Sequence, residues 1–276
     1  MSCLLILTVW LSPFFVTAAQ APTHDVTVRV NGLALRNVHK VSAEDQQRII
    51  EEVKSHAYNT SHLDEISDEI GERLRFAFQK RGYFKVGVSE PAILRTKQKA
   101  KRELIDVSIQ VTEGEQYLLK KIGFSSTTVF SPADLRKAFP IADGDVFDRE
   151  KIASGLESLR CLYCTKGYVN FSGVPETQLD EREHKISLRI DLDEGAAFHV
   201  GNLTVRGVES EAGARERLLN TWRSYEGKLY DCGILDRFLR DLHARPNVKA
   251  IQIFEMSQDE QKQVINVYVT LARPIL

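Results

Sequence analysis

Apolar positions along this chain follow a cycle that runs three times. A short stretch alternates apolar and polar residues, as a half-buried strand does. Two stretches with apolar residues every three or four positions follow, as on amphipathic helices. Two more alternating stretches close the cycle. In the first pass Val26, Val28 and Val30 alternate with Thr27 and Arg29. A helix is predicted after Ser42, an N-cap residue with acids in the next turn. A second is predicted over 62–80, with Leu63, Ile66, Ile70, Leu74 and Phe78 on one face. Strands over 83–88 and 104–112 complete it.

The second pass begins with a strand at 121–124. Ser131-Pro132 reads as an N-cap with proline at the first helical position. Asp148 precedes a helix whose stripe is Ile152, Leu156, Leu159 and Tyr163. Strands follow over 168–173 and 185–192. In the third pass the strands are 202–205, 248–254 and 263–271.

The cycle is a sequence repeat as well as a pattern. GDVFD at 144–148 matches GKLYD at 227–231, and EGEQYLLKKIGF at 113–124 matches EGAAFHVGNLTV at 194–205. Arg81-Gly82-Tyr83 echoes Lys166-Gly167-Tyr168. The expected organisation is three units at 25–114, 115–196 and 197–276, joined without Pro-, Ser- or Gly-rich linkers. Each is an α+β unit of order β-α-α-β-β, a three-stranded mixed sheet covered by two helices.

The remaining residues differ. Positions 3–19 carry no charge and end in Ala19-Gln20-Ala21, a small-x-small site. We read 1–21 as a secretory signal peptide. No Lys or Arg precedes the apolar run, so an uncleaved anchor stays open as the alternative. The 276 residues balance 37 basic against 38 acidic side chains, which gives no electrostatic reason to expect nucleic acid.

Candidate chemistry is sparse. Cys161 and Cys164 form a C-x-x-C at the end of the fourth helical stretch. Thioredoxin-type chemistry wants that motif at a helix N-terminus, where the dipole favours the thiolate. Here the helix ends, and His184 and His199 lack the spacing of a zinc set. Two readings remain: a local or intermolecular disulfide of Cys161 and Cys164, or an incidental pair of exposed thiols. Cys232, beside the Asp231 cap, reads as structural. Gly82 and Gly167 read as helix-terminating glycines before core aromatics. The basic run over 95–102 reads as a solvated hairpin loop.

The β-α-α-β-β order, the Glu-Gly between units, the GDVFD and GKLYD turns and the LYCTKGY before a strand together resemble POTRA domains. These are the polypeptide-transport repeats of BamA- and TamA-type outer-membrane assembly factors. The resemblance implies no catalytic residue, no cofactor and no metal. It implies an exported, periplasmic protein that binds unfolded or nascent outer-membrane polypeptides, or a separately encoded β-barrel or assembly-machine subunit. The implied mode is β-augmentation, in which an extended segment adds to a free strand edge. In that family the middle strand of a unit is the edge. Carried over, the docking residues are Val248, Lys249, Ala250, Ile251, Gln252, Ile253 and Phe254, and Tyr168, Val169, Asn170 and Phe171, with 83–88 the edge of the first unit. In assembly factors a barrel follows the last unit, whereas this sequence ends at Leu276, so the expectation is a barrel on another chain. The other class considered is an inner-membrane-anchored POTRA scaffold of an envelope or division complex.

Overall fold

The computed structural model describes residues 27–59, 62–99, 102–125, 127–207, 213–243 and 251–271. The first unit contains β1 (Thr27–Arg36), α1 (Ala43–Ser55), β2 (Ala57–Tyr58), α2 (Leu63–Gln79), β3 (Gly87–Val88), β4 (Ala92–Lys99) and β5 (Arg102–Thr112). The second contains β6 (Leu118–Ser125), α3 (Pro132–Arg136), α4 (Arg149–Cys164), β7 (Ser172–Asp180) and β8 (Lys185–Asp193). The third contains β9 (His199–Gly207), α5 (Ala214–Trp222), α6 (Ile234–His243), β10 (Ile251–Asp259) and β11 (Val264–Leu271). The chain is thus a tandem array of three mixed α+β units, each with its own sheet and apolar core.

In every unit the last strand lies centrally. It runs parallel to the first strand and antiparallel to the one before it: β5 between β1 and β4, β8 between β6 and β7, β11 between β9 and β10. Alternation sets the core. Ile105, Val107, Ile109 and Val111 of β5 face the helices and are buried, and Ile186, Leu188, Ile190 and Leu192 of β8 do the same. The helix caps follow the sequence. The Ser42 hydroxyl accepts from Asp45 N at 3.1 Å, the Ser131 hydroxyl from Asp134 N at 3.2 Å, and the Asp148 carboxylate from Glu150 N at 2.9 Å.

The strand before the central one departs from expectation in the first two units. In the first, 83–86 is a turn that buries Tyr83 and Val86, and only Gly87–Val88 pairs with β5. The edge is instead β4, which holds residues 95–99 of the basic run expected to be loop. Arg95 and Lys97 sit on this edge strand with their side chains exposed, where cations are well tolerated. With β2 on its far side, the first sheet has five strands rather than three. In the second unit, Tyr168, Val169, Asn170 and Phe171 are a turn, and the strand starts at Ser172. The reason is the helix end: Gly167 at φ 84° reverses the chain and tyrosine-led turn bonds delay the strand. In the third unit, β10 begins at Ile251. Val248, Lys249 and Ala250 lie outside the described residues, and Ile251, Gln252, Ile253 and Phe254 are placed by backbone alone.

Candidate inter-unit joints and strand edges

Two motifs that read as a helix stop and a turn are the two halves of one joint. Helix α2 ends with Tyr83 N bonded to Phe78 O and Gly82 N to Gln79 O. Helix α4 ends in the same way, Tyr168 N to Tyr163 O and Gly167 N to Cys164 O. Both are Schellman ends with a left-handed glycine. Each glycine then presents its carbonyl to the next unit: Gly82 O accepts from Tyr117 N at 2.8 Å, and Gly167 O from Phe198 N at 2.9 Å. The turn motif of the following unit closes over it. A Cβ on Gly82 would lie 2.7 Å from Val146 Cγ1 and 2.9 Å from Tyr117 O, and one on Gly167 would lie 2.8 Å from Phe198 O and 3.0 Å from Leu229 Cδ1. Glycine is therefore required twice over, for backbone sign and for space.

The residues after the glycine divide between units. Tyr83 stays in the first core and Tyr168 packs on the second. Phe84 packs on the second core and meets Phe147 edge-on at 5.7 Å, while Val169 packs on the third core. Val169 thus belongs to a joint, and Phe171 is buried in the second core, stacked on Tyr163 at 3.9 Å between centroids.

The repeated glutamate has a second task. Glu113 accepts from the backbone N–H groups of His39, Lys40 and Val41 at 2.9–3.0 Å. Glu194 accepts from Thr128 N, Val129 N and the Tyr163 hydroxyl, the last at 2.7 Å. Each carboxylate ties the end of its unit's central strand to the loop after the first strand. Burial pushes the Glu194 pKa up, yet the hydrogen bonds from Thr128, Tyr163 and Val129 outweigh it and hold the value at about 2. Burial also pushes Glu113 up, and the three backbone donors leave it lowered. The Tyr163 hydroxyl is raised by burial and by donating to Glu194.

The turn motif also closes a sheet edge. Leu119 N donates to Asp145 O, Gly144 N to Leu119 O and Phe147 N to Tyr117 O, which covers the start of β6. Val200 N to Lys228 O, Gly227 N to Val200 O and Tyr230 N to Phe198 O cover the start of β9. In the first unit β2 takes this place against β1. Among the described residues no strand covers the outer side of β4, β7 or β10. These edges are not equal. Pro175 lies opposite Ile190 in β7 and has no N–H, so it must face the open side of an antiparallel ladder and leave a gap there. No proline interrupts β4 or β10.

The cysteines correct the sequence reading. Cys164 is bonded to Cys232, not to Cys161, with Cα atoms 5.7 Å apart. Placed on one isolated helix, Cys164 flanks the stripe and looks exposed. In the array it is buried in the third unit's core. Cys161 is exposed, as its position opposite the stripe predicts. Cys161, Cys164 and Cys232 all line one cleft of about 410 Å³ between α4 and the third unit, together with Val169, Tyr230, Met256 and Ile265. Among the described residues no group of His, Cys, Asp and Glu is arranged to hold a metal, and no helix is long and apolar enough to cross a membrane.

Comparison with known proteins gives a consistent picture. Residues 117–195 match the family model POTRA, surface antigen variable number repeat. A stretch of 146 residues, 51% of this chain, is 26% identical to a Treponema pallidum protein assigned to outer membrane protein assembly. Over 123 residues, 41% of this chain, the identity to the outer membrane protein assembly factor BamA of Neisseria meningitidis serogroup B is 24%. The matched regions are 17% and 15% of those relatives, so the chain spans under a fifth of their length. The crystal structure of Haemophilus influenzae BamA POTRA3-5 superposes with a TM-score of 0.62 at 16% identity, covering 92% of this chain and 99% of that one. It shares the fold.

Proposed function

Because the chain is a POTRA-domain protein resembling the periplasmic part of BamA, we propose that it is a non-enzymatic polypeptide-binding scaffold of outer-membrane protein assembly. In this reading it works on the periplasmic side of the envelope, with nascent outer-membrane polypeptides and a β-barrel as partners. The observation that carries the reading is the asymmetry of the three sheets. The start of the first-strand edge is covered in each unit, while among the described residues no strand pairs with the outer side of β4, β7 or β10. An open edge offers a row of backbone donors and acceptors, which recognises extended chain with little regard to sequence. Pro175 weakens β7 for this purpose. Strand β10 is our main docking strand and β4 the second, the exposed Lys97 on it suiting segments with acidic residues.

The test uses the whole protein and a synthetic peptide with the alternating pattern of a membrane β-strand. Hydrogen exchange is expected to slow at 255–258 and 94–97 on adding peptide, and to change little over β7. In Pro175→Thr, protection extends to β7. Protection confined to helices α2 and α4, or none at all, would falsify edge docking. For the cellular role, a photoreactive residue at Ser257 is expected to capture outer-membrane polypeptides or a barrel subunit. Capture of an inner-membrane complex alone would favour the anchored scaffold and overturn the assembly reading.

A further inference from the structure

The cleft between α4 and the third unit holds a thiol beside a disulfide, and nothing in a binding role requires that arrangement. Cys161 and Cys164 stand one turn apart on α4, and both line the cleft with Cys232. Helix geometry puts Cα atoms three residues apart at about 5 Å, inside the range that disulfides span. The Cβ atoms of such a pair are about 5–6 Å apart, so the helix end must deform before the sulfurs can bond. The backbone next to Cys164 has already left α-helical geometry. Thr165 N is shared between Cys161 O at 3.1 Å and Leu162 O at 3.2 Å, and Lys166 N bonds Tyr163 O, the i,i+3 pattern of a 3₁₀ turn.

We propose that these three residues form a thiol–disulfide exchange site that locks and unlocks the second and third units. The Cys161 thiolate attacks Cys164 Sγ. A Cys161–Cys164 bond forms as the Cys164–Cys232 bond breaks, and the electron pair leaves on Cys232, which takes up a proton. Among Cys161, Cys164 and Cys232 one disulfide and one thiol exist before and after, so no external oxidant or reductant is needed. The free thiol moves from the surface of α4 to the start of α6. The covalent tie between units becomes a small ring within one helix end. The joint keeps the Gly167–Phe198 hydrogen bond and the Val169 contact but loses its staple.

Peptide mapping separates the two isomers. Trypsin releases Cys161 and Cys164 together in CLYCTK (161–166) and Cys232 in LYDCGILDR (229–237). The full protein is held in glutathione buffers of graded poise, quenched with acid and labelled with N-ethylmaleimide. Chains labelled on only one of Cys161, Cys164 and Cys232, and so still holding one disulfide among them, are then digested. The expected result is label on Cys232 with an oxidised CLYCTK in about one-tenth or more of such chains, an equilibrium offset within about 1.4 kcal/mol. In Cys161→Ser that species vanishes and Cys164–Cys232 is the sole linkage. In Cys232→Ser the CLYCTK peptide is isolated oxidised. The proposal is overturned if Cys232 takes label only in chains that have lost the disulfide, or if Cys161 and Cys164 stay reduced in Cys232→Ser under the same buffers.

Discussion

The two joints of this chain use the same positions for different bonds. At the second joint Cys164 and Cys232 are disulfide-linked. The repeat aligns these positions with Gln79 and Arg149, and at the first joint the Arg149 guanidinium donates to Gln79 Oε1 at 2.6 Å. Around that contact the first joint adds Lys80–Glu150 at 2.7 Å, a Lys85–Glu181 pair and Gln116 Nε2 donating to Arg81 O at 2.9 Å. Exposed ion pairs contribute about 0–1 kcal/mol each, and salt weakens them. A covalent bond has neither limit. Both joints share the glycine carbonyl, the aromatic N–H and the plug residue, so the repeat builds one hinge twice and stiffens only the second. In a polypeptide-binding role this would leave the first unit the more mobile arm.

The largest test of that contrast is to remove the disulfide. Closing a loop of 68 residues stabilises by about 2–4 kcal/mol. Cys232→Ala is expected to lower the third unit's unfolding free energy by about that amount, read by hydrogen exchange at α6 and β11, while the first unit is unchanged. Equal loss in the first unit would show that the array unfolds as one body.

Glycine substitution compares the joints directly. Gly82→Ala and Gly167→Ala each force a left-handed alanine, at about 1–2 kcal/mol, and press its Cβ on the next unit. With spin labels placed in adjacent units, Gly82→Ala is expected to broaden the distance between the first and second units at once. Gly167→Ala broadens the distance between the second and third only after reduction. Broadening without reductant would mean the disulfide does not hold the joint.

The plug residues follow. Phe84→Ala removes a partly buried ring, at roughly 2 kcal/mol, and Val169→Ala removes less, at roughly 1 kcal/mol. The expected signature is faster exchange in the unit downstream, at Phe147 and at Tyr230 respectively. A loss confined to the plug's own unit would place it in the wrong core.

The smallest effect is that of the carboxylate, present in full at neutral pH and lost as pH falls. Glu194 has a folded pKa of about 2, below the ordinary glutamate value of 4.5. A depressed carboxylate stabilises fully above the unfolded pKa and loses that contribution as pH falls toward the folded one. The second unit should therefore weaken between about pH 4.5 and about pH 2. Glu194→Gln should remove that slope at a cost of about 1 kcal/mol at neutral pH, because four donors lose their charged acceptor. An unchanged acid limb in denaturation curves of the variant would assign the slope to other groups.

Local order determined most of the architecture. Ser42, Ser131 and Asp148 fix helix starts through side chains that reach two or three residues ahead, so sequence alone places α1, α3 and α4. Alternation over 104–112 and 185–192 identifies the central strands, because burial against helices demands period two. The shared GDVFD and GKLYD strings expose the repeat itself. Edge strands were less legible. Strands β4 and β7 are exposed over most of their length, so their composition need not alternate, as Arg95 and Lys97 on β4 and Pro175 on β7 show.

What only the tertiary structure decided lies between units. Cys164 looks exposed on an isolated helix and is buried once the third unit packs on it, and its partner is 68 residues away rather than 3. Val169 reads as an edge-strand residue until the next core is present to receive it. Gly82 and Gly167 end their helices by local rules, but the space above each is closed by a turn more than 60 residues later. Periodicity reports which face of an element is buried within its own unit. It carries no record of which neighbour arrives on the opposite face, and in this protein the joints are made there.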